Sequence, residues 1–134
     1  MSNAHAPEHF GCDRCWPDSA ASAAAATHTL AFEHSLIDES HCIVGIRRCG
    51  DCGQRYVCVF TERIDWTGGD DPQFRMRLPI TTDEAEHLTR LGDALSESAL
   101  NALGPDRKSL CDDFPASGPR RAYWHTGLFV GAHD

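Results

Sequence analysis

The sequence predicts one domain of the α+β class, in which a short antiparallel β-sheet packs against one amphipathic α-helix. β-Branched and aromatic residues cluster in short segments between residues 27 and 80. Apolar residues recur at three- and four-residue steps between residues 81 and 104. A chain of 134 residues fits a single domain, residues 1–134, since domains cluster at about 100–150 residues. Hydrophobic residues make up 41% of the chain and charged residues 24%, which is typical of a globular protein rather than a disordered one.

Residues 1–26 are predicted to be a poorly ordered N-terminal segment. Residues 1–19 are rich in His, Asp, Pro and Cys and show no periodicity, and residues 20–26 are an alanine run broken by Ser22. Alanine is the best helix former, but this run has no stripe of larger apolar residues to bury. The run is therefore interpreted as a linker or a poorly packed helix.

Residues 27–80 are predicted to form the sheet. The segments that favour strands are an extended one containing Leu30, Phe32 and Ile37, followed by residues 42–46, 56–60 and 74–78. The second and third of these lie on either side of a short Cys- and Gly-containing segment, residues 49–53, which predicts a hairpin with cysteines at its tip. Gly, Asp and Pro in residues 67–72 predict a turn before the last strand.

Residues 81–104 are predicted to form the amphipathic helix. Thr81 or Thr82 can cap its N-terminus, and acidic residues close to that end interact favourably with the helix dipole. Its apolar face consists of Leu88, Leu91, Leu95, Ala99 and Leu103. A Gly-Pro pair ends the helix. In the C-terminal segment, residues 105–134, the chain past Pro115 is expected to be loop-like until two apolar clusters, residues 122–124 and 128–130, which add an edge strand or pack the C-terminus against the core.

Charge and hydropathy exclude several functional classes. Twenty acidic and twelve basic residues give a formal net charge of −8, which opposes nonspecific binding to nucleic acid. The basic clusters are two arginine pairs, at residues 47–48 and 120–121, and these do not form a phosphate-binding stripe. No apolar run approaches the about 20 residues that a membrane span needs. The N-terminus has neither the basic nor the apolar region of a secretory signal, so we expect a cytoplasmic, reducing environment.

Seven cysteines are an unusual number for a chain of this size. Stable disulfides are rare in a reducing compartment, so the cysteines are expected to be buried thiols, redox groups or metal ligands. Four of them form two Cys-x-x-Cys pairs, Cys12/Cys15 and Cys49/Cys52. Two residues between thiols allow a tight turn to direct both sulfurs at one ion, and two such turns supply the four tetrahedral ligands that zinc prefers.

Residues 49–53, with the sequence Cys-Gly-Asp-Cys-Gly, resemble the knuckle of zinc-ribbon and rubredoxin-like proteins. In those proteins a Cys-x-x-Cys-Gly turn at the tip of a β-hairpin faces a second such turn. The resemblance implies a zinc-knuckle hairpin and a bound metal, most often structural zinc, with Cys12 and Cys15 as the facing pair. It implies no particular activity. Iron is the alternative metal.

Other residues offer alternative ligands. His5 and His9 precede the first cysteine pair and could bind a metal together with it, although a mobile terminus is their more common role. His41 and Cys42 lie just before the hairpin and could substitute for a ligand. Cys58 alternates with valines in a predicted strand and is assigned to core packing, whereas Cys111, which follows the predicted helix, is given no role.

No catalytic residue is assigned from the sequence. A redox dithiol at Cys49 and Cys52 is possible chemically, but such pairs usually begin a helix, where the dipole lowers the thiol pKa. The carboxylates Glu62, Asp65, Asp70 and Asp71 do not follow a cation-binding pattern. The sequence therefore predicts a zinc-binding interaction or regulatory module whose partner is another protein, and the alternative is a metal-handling or thiol-redox protein.

Overall fold

Antiparallel strands form one six-stranded sheet in the computed structural model, which describes residues 10–62, 73–114 and 119–130. The strands are β1 (Ala31–Glu39), β2 (Cys42–Arg48), β3 (Arg55–Glu62), β4 (Gln73–Ile80), β5 (Lys108–Phe114) and β6 (Arg121–Thr126). Each strand pairs with its neighbours in the sequence, in the order β1-β2-β3-β4-β5-β6. The predicted α+β class is confirmed.

Short helices accompany the sheet: α1 (Ala20–Ala26), α2 (Thr82–Leu91) and α3 (Glu97–Asn101), with 3₁₀ turns at Thr27–Thr29 and Gly92–Ala94. Across the described ranges, no helix has both the length and the apolar character that crossing a membrane requires.

The main core lies on one face of the sheet. Because side chains alternate between the two faces of a strand, one set of residues from β2–β5 points to this face, where Val44 lies opposite Val59 and Val57 opposite Leu78. Ala85 and Leu88 of α2, Leu100 of α3, and Leu128 and Val130 cover it. The buried members of this core are Cys42, Val44, Ile46, Val57, Val59, Met76, Leu78, Ile80, Ala85, Leu88, Leu100, Cys111, Leu128 and Val130.

The N-terminal segment lies on the opposite face of the sheet. Residues 20–26 form α1, which Ser19 caps by accepting a hydrogen bond from the Ser22 N–H. Ala23 and Ala24 are buried and pack against Leu110 of β5. The alanine run is thus a packed helix and not a linker, because its small side chains allow close approach to the sheet.

The prediction of one helix over residues 81–104 is wrong. The helix α2 ends at Leu91, and Gly92 follows with φ 51° and ψ −124°, a backbone conformation that favours glycine. A new helix, α3, starts after Ser96, whose hydroxyl accepts a hydrogen bond from the Ala99 N–H at 3.2 Å.

Residues 108–114 form β5, a strand that was not predicted from the sequence. Cys111 lies in this strand, buried and opposite Met76 of β4. The charged residues Asp112 and Asp113 concealed the strand in the sequence, and their charges are satisfied by Arg120 and Arg121. The division of residues 1–134 into one domain with the segments 1–26, 27–80, 81–104 and 105–134 otherwise stays a prediction.

Replacement of Thr81 by alanine should destabilise the protein by about 1 kcal/mol. The Thr81 hydroxyl accepts a hydrogen bond from the Glu84 N–H at 3.1 Å, and the Glu84 carboxylate accepts one from the Thr81 N–H at 2.8 Å. Urea unfolding of Thr81→Ala measures the loss. Thr82→Ala is the matched control and should stay within about 0.5 kcal/mol of the wild type. Equal losses in both variants would contradict the capping role.

Candidate metal centre

Residues 49–53 form a tight turn that joins β2 to β3, which we call the second cysteine turn. The Cys49 N–H donates to the Gln54 carbonyl at 2.9 Å, and the Gly53 N–H donates to the Cys49 carbonyl at 2.9 Å. Gly53 has φ 79°, which residues with a side chain rarely adopt. The turn therefore needs a glycine directly after Cys52.

Residues 12–16 form the first cysteine turn, which the Trp16 N–H closes by donating to the Cys12 carbonyl at 2.7 Å. Gly11 precedes it with φ 71°, and its N–H donates to the Gln54 side chain at 3.1 Å. A Cβ atom on Gly11 would lie 2.5 Å from the Tyr56 hydroxyl and 2.6 Å from Trp16 Cβ. The two turns approach each other because no side chain separates them at this point.

The four sulfurs of the two turns form one cluster. The Sγ–Sγ distances are 3.7 Å from Cys12 to Cys15, 3.9 Å from Cys12 to Cys49, and 3.7 Å from Cys15 to Cys52. A tetrahedral ion with ligand bonds of about 2.3 Å requires sulfurs about 3.8 Å apart. The distances are much longer than the about 2.05 Å of a disulfide bond. The geometry of the four thiols therefore fits a metal ion at the centre of the cluster.

Hydrogen bonds to the sulfurs support the thiolate form that a metal requires. The Cys12 N–H donates to Cys15 Sγ at 3.3 Å, and the Asp51 N–H donates to Cys49 Sγ at 3.4 Å. The Tyr56 hydroxyl lies 2.9 Å from Cys15 Sγ and can donate to that sulfur once it is ionised. These contacts orient the ligands and lower the cost of their negative charge.

The surroundings shift the pKa values of Cys12, Cys15 and Cys52 in different directions. A hydrogen bond from the Cys15 backbone lowers the pKa of Cys12 to about 7. Loss of hydration raises the pKa of Cys15 above its usual value and raises the pKa of Cys52 to about 12. A divalent cation stabilises all four thiolates together, so binding must release protons and weaken at acidic pH.

A buried arginine lies beside the cluster. Arg77 is 2% exposed, and its Nη2 donates to the carbonyls of Cys15 at 2.7 Å and of Ala23 at 3.0 Å. Its guanidinium stacks on Tyr56 at 4.7 Å and on Trp16 at 5.1 Å from the ring centroids. In the part of the chain that the structure describes, no carboxylate pairs with it. The nearby cysteines are its available counter-charges.

The alternative ligands do not join the cluster. His41 lies 3.6 Å from the Glu62 carboxylate, and Cys42 is buried in the main core at the far end of β2 from Cys49. His5 and His9 lie outside the described residues, as do Asp65, Asp70 and Asp71. Within the described ranges, the four cysteines are the one group of three or more potential ligands gathered closely enough to hold a metal, with all ligand atoms within 4.8 Å.

Sequence reasoning missed Tyr56 and Arg77 as parts of this site. Arg77 carries no sequence signal of this role, because its alternation with Met76 and Leu78 is the usual pattern of a strand with one exposed face. Comparison of the chain with protein-family models, with curated proteins and with solved structures found no match. Function must therefore be inferred from the geometry of the site itself.

Proposed function

We propose that Cys12, Cys15, Cys49 and Cys52 bind one structural zinc ion in a protein-interaction module. The near-tetrahedral spacing of the four sulfurs, 3.7–3.9 Å for three of the pairs and within 4.8 Å for all of them, carries this proposal. Thiolates are soft ligands that favour zinc, and the abundance of zinc favours it over iron. Four protein ligands leave no open coordination position for a substrate, so the ion would be structural and not catalytic.

The ion would fasten the N-terminal segment to the sheet. The first cysteine turn leads through Trp16 into α1, whereas the second belongs to the β2–β3 hairpin. Trp16 packs against Tyr56 and Trp124 with ring centroids 5.3 and 5.0 Å apart, and a bound ion would hold it there. Zinc binding at such sites contributes on the order of 10 kcal/mol to folding.

We propose another protein as the partner, in a cytoplasmic environment. The net charge of −8 suits a partner with a basic or mixed surface. Phe32, Ile43 and Phe129 are the large hydrophobic residues exposed within the described ranges, and they supply apolar contact area. Binding of a purified partner should weaken as ionic strength rises, and salt-independent binding would contradict the charge-based part of this proposal.

Metal analysis tests the zinc proposal directly. Purified protein should contain close to one zinc ion per chain by plasma mass spectrometry, and Cys12→Ser should contain much less. Cys58→Ala is the matched control, because Cys58 lies in β3 outside the four-sulfur cluster, and it should retain the zinc. A metal-free wild type with freely titrating thiols would overturn the proposal. Visible absorption from a red protein would identify iron instead.

The alternative function is metal handling or thiol-disulfide exchange at Cys49 and Cys52. Its support is that Cys49 and Cys52 are both free thiols within one tight turn. However, the Cys49/Cys52 pair leads into β3 and has no helix dipole to activate it. Reversible oxidation of this pair in zinc-depleted protein, with no change in stability on zinc addition, would favour the alternative.

A further inference from the structure

Away from the cysteine cluster, a cavity lies on the part of the sheet face that α1 leaves uncovered. Its volume is about 480 Å³, which falls within the range of small-molecule sites, about 300–1,000 Å³. A row of cross-strand partners forms its floor: Gly45, Cys58, Arg77 and Leu110 from β2, β3, β4 and β5.

The wall of this cavity is aromatic because Gly45 has no side chain. A Cβ atom on Gly45 would lie 2.8 Å from the Phe32 ring, so the ring rests directly over the glycine. Phe60 also lines the cavity. Phe32 is 55% exposed, and its ring therefore offers a free apolar surface to a ligand.

Three arginines from two strands, β2 and β4, converge on the cavity. The Arg47 guanidinium lies 5.6 Å from the Phe32 ring centroid and donates to the Leu30 carbonyl at 3.3 Å. Arg75 lies between Phe60 and Phe114, at 5.3 and 5.2 Å from their ring centroids. Arg77 places its buried charge at the floor. We call this cavity the arginine pocket.

The positive charge of the arginine pocket is not neutralised by the protein within the described ranges. None of Arg47, Arg75 and Arg77 forms an ion pair with a carboxylate there. The one acidic residue that lines the pocket is Asp112, and its carboxylate accepts two hydrogen bonds from Arg120, at 3.0 and 2.9 Å. In a chain with a net charge of −8, three unpaired arginines at one cavity form a local site of positive potential.

We propose that the arginine pocket binds a small organic anion, namely a carboxylate or a phosphate monoester attached to an apolar or aromatic group. The planar guanidinium groups of Arg47 and Arg75 suit the oxygens of such an anion. The aromatic wall suits its apolar part. The buried charge of Arg77 at the floor of the pocket adds electrostatic attraction for the anion. Arg77 borders both this pocket and the cysteine cluster, whereas Arg47 and Arg75 are not among the residues packed around the cysteines, so variants of these two test the pocket separately from the zinc proposal.

A pair of fluorescent probes tests the requirement for both parts of the ligand. 1-Anilinonaphthalene-8-sulfonate carries an anion and an aromatic body, and N-phenyl-1-naphthylamine is its uncharged parent. The natively folded protein should bind the sulfonate saturably and roughly tenfold more tightly than the parent. Equal affinity for the two probes would overturn the proposal.

Substitutions locate the binding. Arg75→Gln and Arg47→Gln should each weaken sulfonate binding roughly tenfold and leave the binding of the uncharged probe unchanged. Arg90→Gln is the control, because Arg90 lies on α2 and outside the pocket, and it should bind like the wild type. Amide chemical-shift changes should centre on Gly45 and Cys58. Unchanged affinity in both pocket variants, or shifts centred elsewhere, would refute the site.

Competition distinguishes the two sources of the anion. Displacement of the probe by phenyl phosphate, with little displacement by benzoate, would identify a phosphate monoester as the ligand class, and the reverse would identify a carboxylate. Inorganic phosphate lacks the apolar part and should compete at least tenfold more weakly than phenyl phosphate. Equal competition by inorganic phosphate would overturn the proposal, because the aromatic wall would then contribute nothing.

Discussion

Cys49→Ser should lose the zinc ion and lower the melting temperature by on the order of 30–40 °C. Cys49 is buried, and its sulfur lies 3.9 Å from that of Cys12 on the first cysteine turn. Serine is a poor zinc ligand, so the variant would lose the link between the N-terminal segment and the β2–β3 hairpin. Circular dichroism during heating measures the change, and a strong chelator should lower the melting temperature of the wild type similarly.

The control for this experiment is the same substitution outside the cluster. Cys58→Ser changes a thiol in β3 that does not belong to the four-sulfur group, and it should keep the zinc and most of the stability. Under the thiol-redox alternative, Cys49→Ser would instead melt like the wild type and lose only its dithiol reactivity. That outcome would rule out a structural role for the metal.

Arg77→Met should weaken zinc binding by about 10- to 100-fold, the range found when groups that support metal ligands are removed. Four thiolates and one divalent ion have a net charge of −2. Arg77 is a buried cation next to this charge, because it donates a hydrogen bond to the Cys15 carbonyl. Without the ion and with neutral thiols, this arginine is a buried charge whose Nε and Nη1 lack acceptors. The substitution should therefore cost little stability in the metal-free protein, because it also removes the penalty of a buried charge.

Competition with a chelating indicator measures the zinc affinity of the variants. Arg77→Lys retains the charge, so it should recover part of the affinity that methionine loses. Arg55→Met is the matched control, since the guanidinium of Arg55 pairs with the Glu33 carboxylate at 2.7 Å and not with the cysteine cluster. Wild-type zinc affinity in Arg77→Met would show that Arg77 serves packing and not the charge of the site. The same conclusion would follow if the substitution lowered the free energy of unfolding of the metal-free protein by as much as it lowered the free energy of zinc binding.

The local parts of the structure were predictable from the sequence. The β2–β3 hairpin follows from its β-branched strands, and the four candidate ligands follow from the spacing within each cysteine pair. The break after α2 was also visible, because Gly92 interrupts the helical pattern. The apolar periodicity continues beyond this glycine, and for that reason the two helices were predicted as one.

The long-range parts were not predictable. The strand β5 depends on arginines that follow it in the chain, and the packing of α1 depends on Leu110. Arg77 and Cys15 are separated by 62 positions, so no local pattern could place the guanidinium beside the cysteine cluster. The arginine pocket is likewise formed by register across four strands, which becomes visible only once the strands are paired.

The neighbour-to-neighbour order of the six strands has a kinetic consequence. Every strand pairs with a strand that is its neighbour in the sequence. The contacts of residues 10–30 are more distant in sequence: Cys15 and Tyr56 are 41 positions apart, and Asp18 and Trp124 are 106 positions apart. Closing a longer loop costs more entropy, and contacts between neighbouring segments form faster. The six-stranded sheet would therefore form first, strand by neighbouring strand, and the N-terminal segment would pack on it late. Because the metal site needs both, ion binding would complete folding and not initiate it.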